Sequence, residues 1–138
     1  EKGVVLETLS YCAQLFRKKA GGVPAAANQA VTHVLQFLNA HYKEADLKLE
    51  DIAKSVHLNK NYVCNVFKEN TSMTVYRYII NKRIIFAKEL LSQGIGVTEC
   101  AQLSGFGDYS NFIRTFKKLV GISPKQYQRE KSFYNRRN

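Results

Sequence analysis

SGFGDYSNFIRTFKKLVGISPKQY, Ser104–Tyr127, has a weaker counterpart upstream in SVHLNKNYVCNVFKENTSMTVYRY, Ser55–Tyr78. In each copy a short segment containing alanine (Ile52-Ala53, Cys100-Ala101) leads into a tight turn at His57-Leu58 or Gly105-Phe106. A longer helical pattern ends on a phenylalanine, Phe67 or Phe116. Met73-Thr74 or Ile122-Ser123 follows, and then Tyr78 or Tyr127. The copies are offset by 48 positions up to the turn and by 49 beyond it. Two matched units of this kind predict a duplicated supersecondary element.

Helical phase says what the element presents. From Asn59 to Asn70 the residues Tyr62, Val63, Val66 and Phe67 fall on one side of an amphipathic helix, and Asn61, Cys64, Asn65 and Lys68 on the other. In the second copy Phe112, Ile113, Phe116 and Val120 point inward, while Ser110, Asn111, Arg114, Lys117 and Lys118 lie outside. A short helix, a turn and a longer helix with a hydrogen-bonding outer face make a helix-turn-helix, whose second helix fits the major groove of DNA. Side-chain amides suit adenine and a guanidinium suits guanine.

On these residues Leu49–Tyr127 resembles the DNA-binding domain of AraC/XylS-type bacterial transcription regulators, in which a long helix joins two helix-turn-helix units. The second unit carries the more specific signal: Gly105-Phe106, Phe112, Phe116, Gly121-Ile122-Ser123-Pro124 and Tyr127. Arg83, Ile84 and Ala87 stand at the expected distance upstream. The first unit departs at its turn, where His57-Leu58 replaces a small residue followed by an aromatic. With the preceding helix included, the resemblance covers roughly the last three quarters of the chain. It implies an all-α fold and sequence-specific binding to double-stranded promoter DNA in the bacterial cytoplasm. It also implies regulation of transcription, usually activation through RNA polymerase.

Length and charge agree with one basic DNA-binding module. A chain of 138 residues with 45% hydrophobic content builds one helical domain or two small lobes. A formal net charge of +10 favours a polyanionic partner. From Tyr109 onward eight Lys or Arg face a single acidic residue, Glu130. Cys12, Cys64 and Cys100 are odd in number and far apart, and no Cys-x-x-Cys or Cys-His ligand spacing occurs, so no disulfide scaffold, zinc site or other cofactor is expected. No run is long and apolar enough to span a bilayer, and no signal sequence is visible.

Taken in order, residues 1–20 read as an amphipathic helix with Val5, Leu6, Leu9, Cys12, Ala13 and Phe16 along one stripe over 4–19. The stripe either belongs to an upstream sensing or dimerising domain or folds back on its own chain. Met73 being the only methionine, a preceding segment is expected. Residues 21–27, with Gly21, Gly22 and Pro24, read as a linker to a DNA-binding domain over 28–131. Asn28 is expected to cap a helix that packs Val31, Val34, Leu35 and Leu38 inward. The first unit spans about 49–70, the joining helix about 75–91 and the second unit about 97–120. Pro124 opens a last short helix, and a basic tail over 132–138 is expected to fray.

The residues expected at base edges are Asn61, Cys64, Asn65, Ser110, Asn111 and Arg114; those expected at phosphates are Lys60, Lys68, Tyr109, Lys117 and Lys118. Any one of them can instead be a solvated position on an exposed helix. No catalytic constellation is visible, and Gly94-Ile95-Gly96 lacks a phosphate-cradling pattern, so no enzyme is expected. The alternative reading is a basic helical module that binds a protein or an anionic surface through the 4–19 stripe. Homodimerisation through that stripe or a preceding domain also remains open.

Overall fold

In the computed structural model residues 25–137 are described; the helix expected over 4–19 and most of the linker at 21–27 lie outside them. The described chain is helical throughout, with no strand among these residues: α1 (Ala25–His41), α2 (Leu49–Ser55), α3 (Lys60–Thr71), α4 (Val75–Ser92), α5 (Val97–Leu103), α6 (Tyr109–Val120) and α7 (Pro124–Arg137). The two copies become α2-turn-α3 and α5-turn-α6. The helix between them, α4, serves both.

Two cores result. In the first, Val31, Val34 and Leu38 of α1 meet Ile52 and Ala53 of α2, Val63, Val66 and Phe67 of α3, and Val75 and Ile79 of α4. In the second, Ile80, Ile84, Ala87, Leu90 and Leu91 of α4 join Cys100 and Ala101, then Phe106, Phe112, Phe116, Val120 and Tyr127. The joining helix therefore changes partners between Ile79 and Ile80. One rigid rod is built into both lobes, and each fully buried Phe contributes about 1.5–3 kcal/mol of transfer free energy to its lobe. The Cys100 thiol donates to the Ala87 carbonyl at 3.3 Å, tying α5 to α4. Burial pushes its pKa up to about 12, so it stays neutral there.

The duplication survives in atomic detail. Phe67 and Tyr78 meet edge to face with ring centroids 5.7 Å apart, and Phe116 and Tyr127, each 49 residues on, do the same at 5.7 Å. Both turns are Schellman closures. Leu58 N–H donates to the Ala53 carbonyl and His57 N–H to Lys54; Phe106 N–H donates to Ala101 and Gly105 N–H to Gln102. The closing residue is left-handed in both, φ 56° at His57 and 93° at Gly105. His57 thus adopts the backbone that glycine adopts in the second copy. The change of offset is one extra residue, Gly107, between the turn and the capping Asp108 that matches Asn59.

Three expectations are corrected. The chain is already helical at Ala25, and Asn28 lies inside α1 with its carbonyl accepting from Thr32 Oγ1 at 2.9 Å, so it is no cap. Ala25-Ala26-Ala27, placed in the linker because Pro24 precedes it, has the highest helix propensity and starts the helix instead. Tyr62 is 41% exposed rather than inward, being at the edge of the apolar strip in the first turn of α3. The last helix does not stop near Lys131 but runs to Arg137, with Ser132 Oγ donating to the Gln128 carbonyl. After Pro124 it meets no Gly or Pro and consists largely of Gln, Arg, Glu and Lys, which propagate a helix readily.

Arg83 joins the lobes. This buried side chain of α4 donates from Nε to the Tyr42 carbonyl at 2.6 Å and from its terminal nitrogen to the Glu44 carbonyl at 2.7 Å, both in the turn between α1 and α2. A Cβ placed on Gly105 would stand 2.8 Å from the Lys43 carbonyl oxygen and 2.9 Å from Arg83 Nε. Gly105 is therefore required twice, by its positive φ and by this approach. Gly94, at φ +87°, has nothing within 4 Å of its would-be Cβ. In urea unfolding, Gly94→Ala should cost about 1–2 kcal/mol of backbone strain. Gly105→Ala should cost a further 1–3 kcal/mol or so from overpacking. Equal losses would show that the turn is not packed against Arg83.

Candidate nucleic-acid interface

The first candidate helix is set by Asn59, whose Oδ1 accepts from Tyr62 N–H at 2.8 Å and fixes where α3 begins. With Val63, Val66 and Phe67 buried, Asn61, Asn65, Lys60 and Lys68 stand exposed. Cys64 is half-buried. It lines a groove of about 280 Å³ with Leu49, Ile52 and Val75, at the rim of the exposed strip. Lys60 Nζ lies 2.7 Å from Glu50 Oε1. Their hydrogen bond is the main reason the Glu50 carboxyl sits below and the Lys60 ammonium above its ordinary pKa. Both groups are solvent-exposed, so salt screens the pair.

In the second helix Asp108 accepts from Ser110 N–H at 2.9 Å, and Phe112, Phe116 and Val120 are buried beneath. Ser110, Arg114, Lys117 and Lys118 are exposed, and Tyr109 is half in solvent. Asn111 is half-buried, with its Oδ1 accepting from Thr115 Oγ1 at 3.4 Å. Lys117 and Lys118 in the last turn also complement the negative end of the helix. Every base-edge candidate reaches solvent. The outer faces are as polar as the sequence phase predicts.

The two helices share a neighbour. Tyr76 of α4 lines the groove containing Asn65 and Lys68 of α3, and it also lines a second cleft of about 400 Å³ with Arg77, Ile80, Thr115 and Lys118. Asn65 and Lys68 of α3 and Lys118 of α6 therefore border openings that share Tyr76. Neither opening is lined by a carboxylate. The sequence reading missed Tyr76 and Arg77 at this position. The available signal was phase: both fall off the Val75–Ile79 register, so the core does not explain them.

Among the described residues no group of His, Cys, Asp or Glu is arranged to hold a metal, and no helix is long and apolar enough to cross a membrane. What the surface offers is amides, a guanidinium and ammonium groups, which fit hydrogen bonding to base edges and phosphates. Lys60 must exchange its Glu50 partner for any phosphate it meets. Glu50→Gln should therefore tighten DNA binding about two- to fivefold at low salt, with the gain fading as salt rises. Unchanged affinity in a titration would remove Lys60 from the interface.

Comparison with known proteins agrees with this fold. Residues 52–130 match the family described as a helix-turn-helix domain. The chain is 35% identical over 92 residues to the HTH-type transcriptional regulator YtdP of Bacillus subtilis, covering 66% of this chain and 12% of that protein. It is 34% identical over 114 residues to the melibiose operon regulatory protein of Escherichia coli K12, covering 82% of this chain and 37% of that one. The chain thus spans well under half the length of these curated relatives. Among solved structures, the C-terminal domain of AraT, a response regulator from Geobacillus stearothermophilus, superimposes with a TM-score of 0.70 at 28% identity, over 73% of this chain and 84% of that one. The DNA-binding domain of AdpA, solved in complex with a target DNA, has the same fold at a TM-score of 0.68 and 22% identity, over 78% of this chain and 95% of that one.

Proposed function

Because this chain belongs to the AraC-type helix-turn-helix family of transcription regulators, we propose that it is the promoter-reading part of such a regulator and sets α3 and α6 into successive major grooves of one duplex. The observation that supports this reading is that Tyr76 borders both the groove lined by Asn65 and Lys68 of α3 and the cleft lined by Lys118 of α6. A helix of 18 residues such as α4 is about 27 Å long. That suits heads about one duplex turn, roughly 34 Å, apart.

In this reading Asn61, Asn65, Ser110, Asn111 and Arg114 address base edges, with Cys64 at the rim of the first set. Lys60, Lys68, Tyr109, Lys117 and Lys118 hold phosphates. Arg114 stands one turn beyond Ser110 and Asn111 on an exposed face, where a forked donor reaches guanine O6 and N7. Phosphate contacts provide affinity, and the base contacts with DNA bending provide choice. The module works on nucleoid DNA in the cytoplasm, and contact with RNA polymerase turns occupancy into a change in transcription. A pairing of two copies would use the apolar stripe of residues 4–19 or an additional domain. The printed names of the relatives and the DNA held by the AdpA domain support promoter DNA over a protein or an anionic surface as the partner.

A duplex enriched by the chain from a random pool should stay bound under a large excess of unrelated DNA. On that duplex Arg114→Ala should lose about 1–3 kcal/mol, roughly five- to 150-fold, whereas Lys118→Ala should weaken selected and unrelated DNA alike. Binding that random DNA abolishes, or an Arg114→Ala chain that titrates like wild type, contradicts the assignment.

A further inference from the structure

Resting on that reading, we propose that Tyr76 and Arg77, on the first turn of α4, form a third DNA-binding element that grips the phosphates midway between the two major grooves. Tyr76 is 68% exposed, although its neighbour Val75 and Ile79 one turn on are buried in the first core. Packing does not account for an aromatic there. Position does. Tyr76 is shared by the groove that Asn65 and Lys68 of α3 line and the cleft that Lys118 of α6 lines, so it stands between the two reading helices.

A duplex that offers two consecutive major grooves to one protein face presents the intervening minor groove, edged by phosphates, between them. Whatever side chains stand between the heads meet those phosphates. The chemistry matches: the two openings beside Tyr76 carry Lys68, Arg77 and Lys118 and no carboxylate. Among the described residues none of these three cations is paired with an acidic side chain. The first turn of α4 is held in place by Thr74, whose Oγ1 accepts from Arg77 N–H at 3.1 Å, so Arg77 leaves a fixed backbone. Its guanidinium donates a fork to a phosphate, and the Tyr76 hydroxyl donates a single bond to a neighbouring one. Such contacts carry no base preference. They fix the register of the two heads on the duplex.

The probe is the duplex that the wild-type chain enriches from a random pool, read by hydroxyl-radical footprinting, by methylation protection of guanine N7 and by the salt dependence of binding. Arg77→Ala should weaken binding about three- to tenfold on selected and unrelated DNA alike, and flatten the salt slope by about one. Tyr76→Phe should weaken it about two- to fivefold. Both variants should lose backbone protection in the middle of the site while guanine N7 protection persists in both major grooves. Circular dichroism melting that matches wild type confirms that these exposed substitutions leave the fold intact. If both variants keep the mid-site protection and the wild-type salt slope, the proposal is overturned although the promoter-reading assignment stands. If the wild-type chain protects no pair of major grooves, that assignment fails and this one with it.

Discussion

The guanidinium of Arg83 is the constraint on which the arrangement of the molecule depends. Burial lowers its pKa below the usual arginine value, but the group remains charged and must be met by acceptors. It finds them in the carbonyls of Tyr42 and Glu44, from the turn ahead of the first lobe, while lying 6.0 Å from the Phe106 ring of the second. The Gly105 turn closes over it so tightly that no side chain fits. Removing the cation strands two carbonyls, and a lysine cannot reproduce the fork. Lys43 adds to the same junction, its Nζ 3.9 Å from the centroid of Phe86 on α4.

Around that junction the apolar chemistry is divided with little overlap. The first lobe closes on Phe67 and Tyr78, the second on Phe116 and Tyr127, and α4 gives Val75 and Ile79 to one and Ile80 onward to the other. A rod anchored in two cores and locked at Arg83 has little freedom to bend or swivel. The proposed function depends on this stiffness. Two short helices bind DNA weakly by themselves, but heads held at one separation present their base and phosphate contacts together. Gln128 extends the same logic at the far end, its side-chain amide donating to the Leu91 and Ile95 carbonyls and tying α7 across the end of α4.

Much of this was legible in the sequence because the duplication repeats its buried aromatics at a constant offset. The second copy read more plainly for a physical reason: its two left-handed positions, Gly105 and Gly121, are glycine, whereas the first copy puts His57 and Ser72 there. Non-glycine residues adopt that backbone at a cost of about 1–2 kcal/mol each, which the surrounding packing must offset. The first turn is therefore legible from its match to the second copy rather than from its own residue types. Phase placed Asn61, Asn65, Ser110 and Arg114 outside. It could not show that Cys64 turns toward a groove, that Glu50 occupies Lys60, or that Asn111 engages Thr115, since these depend on elements meeting in space. Arg83 was recognised only as part of a pattern, and its bonds reach about forty residues back along the chain.

The claim that two heads are held in one fixed register is tested most directly by lengthening the DNA between them. On the selected duplex, guanine N7 protection should appear in two major grooves about one turn, 10–10.5 base pairs, apart on one face. When about five base pairs, half a turn, are inserted between them, one groove should lose its protection and affinity should fall to that of a single head. Persistent protection of both grooves on the lengthened duplex would contradict the account, because it would mean that the heads swivel independently.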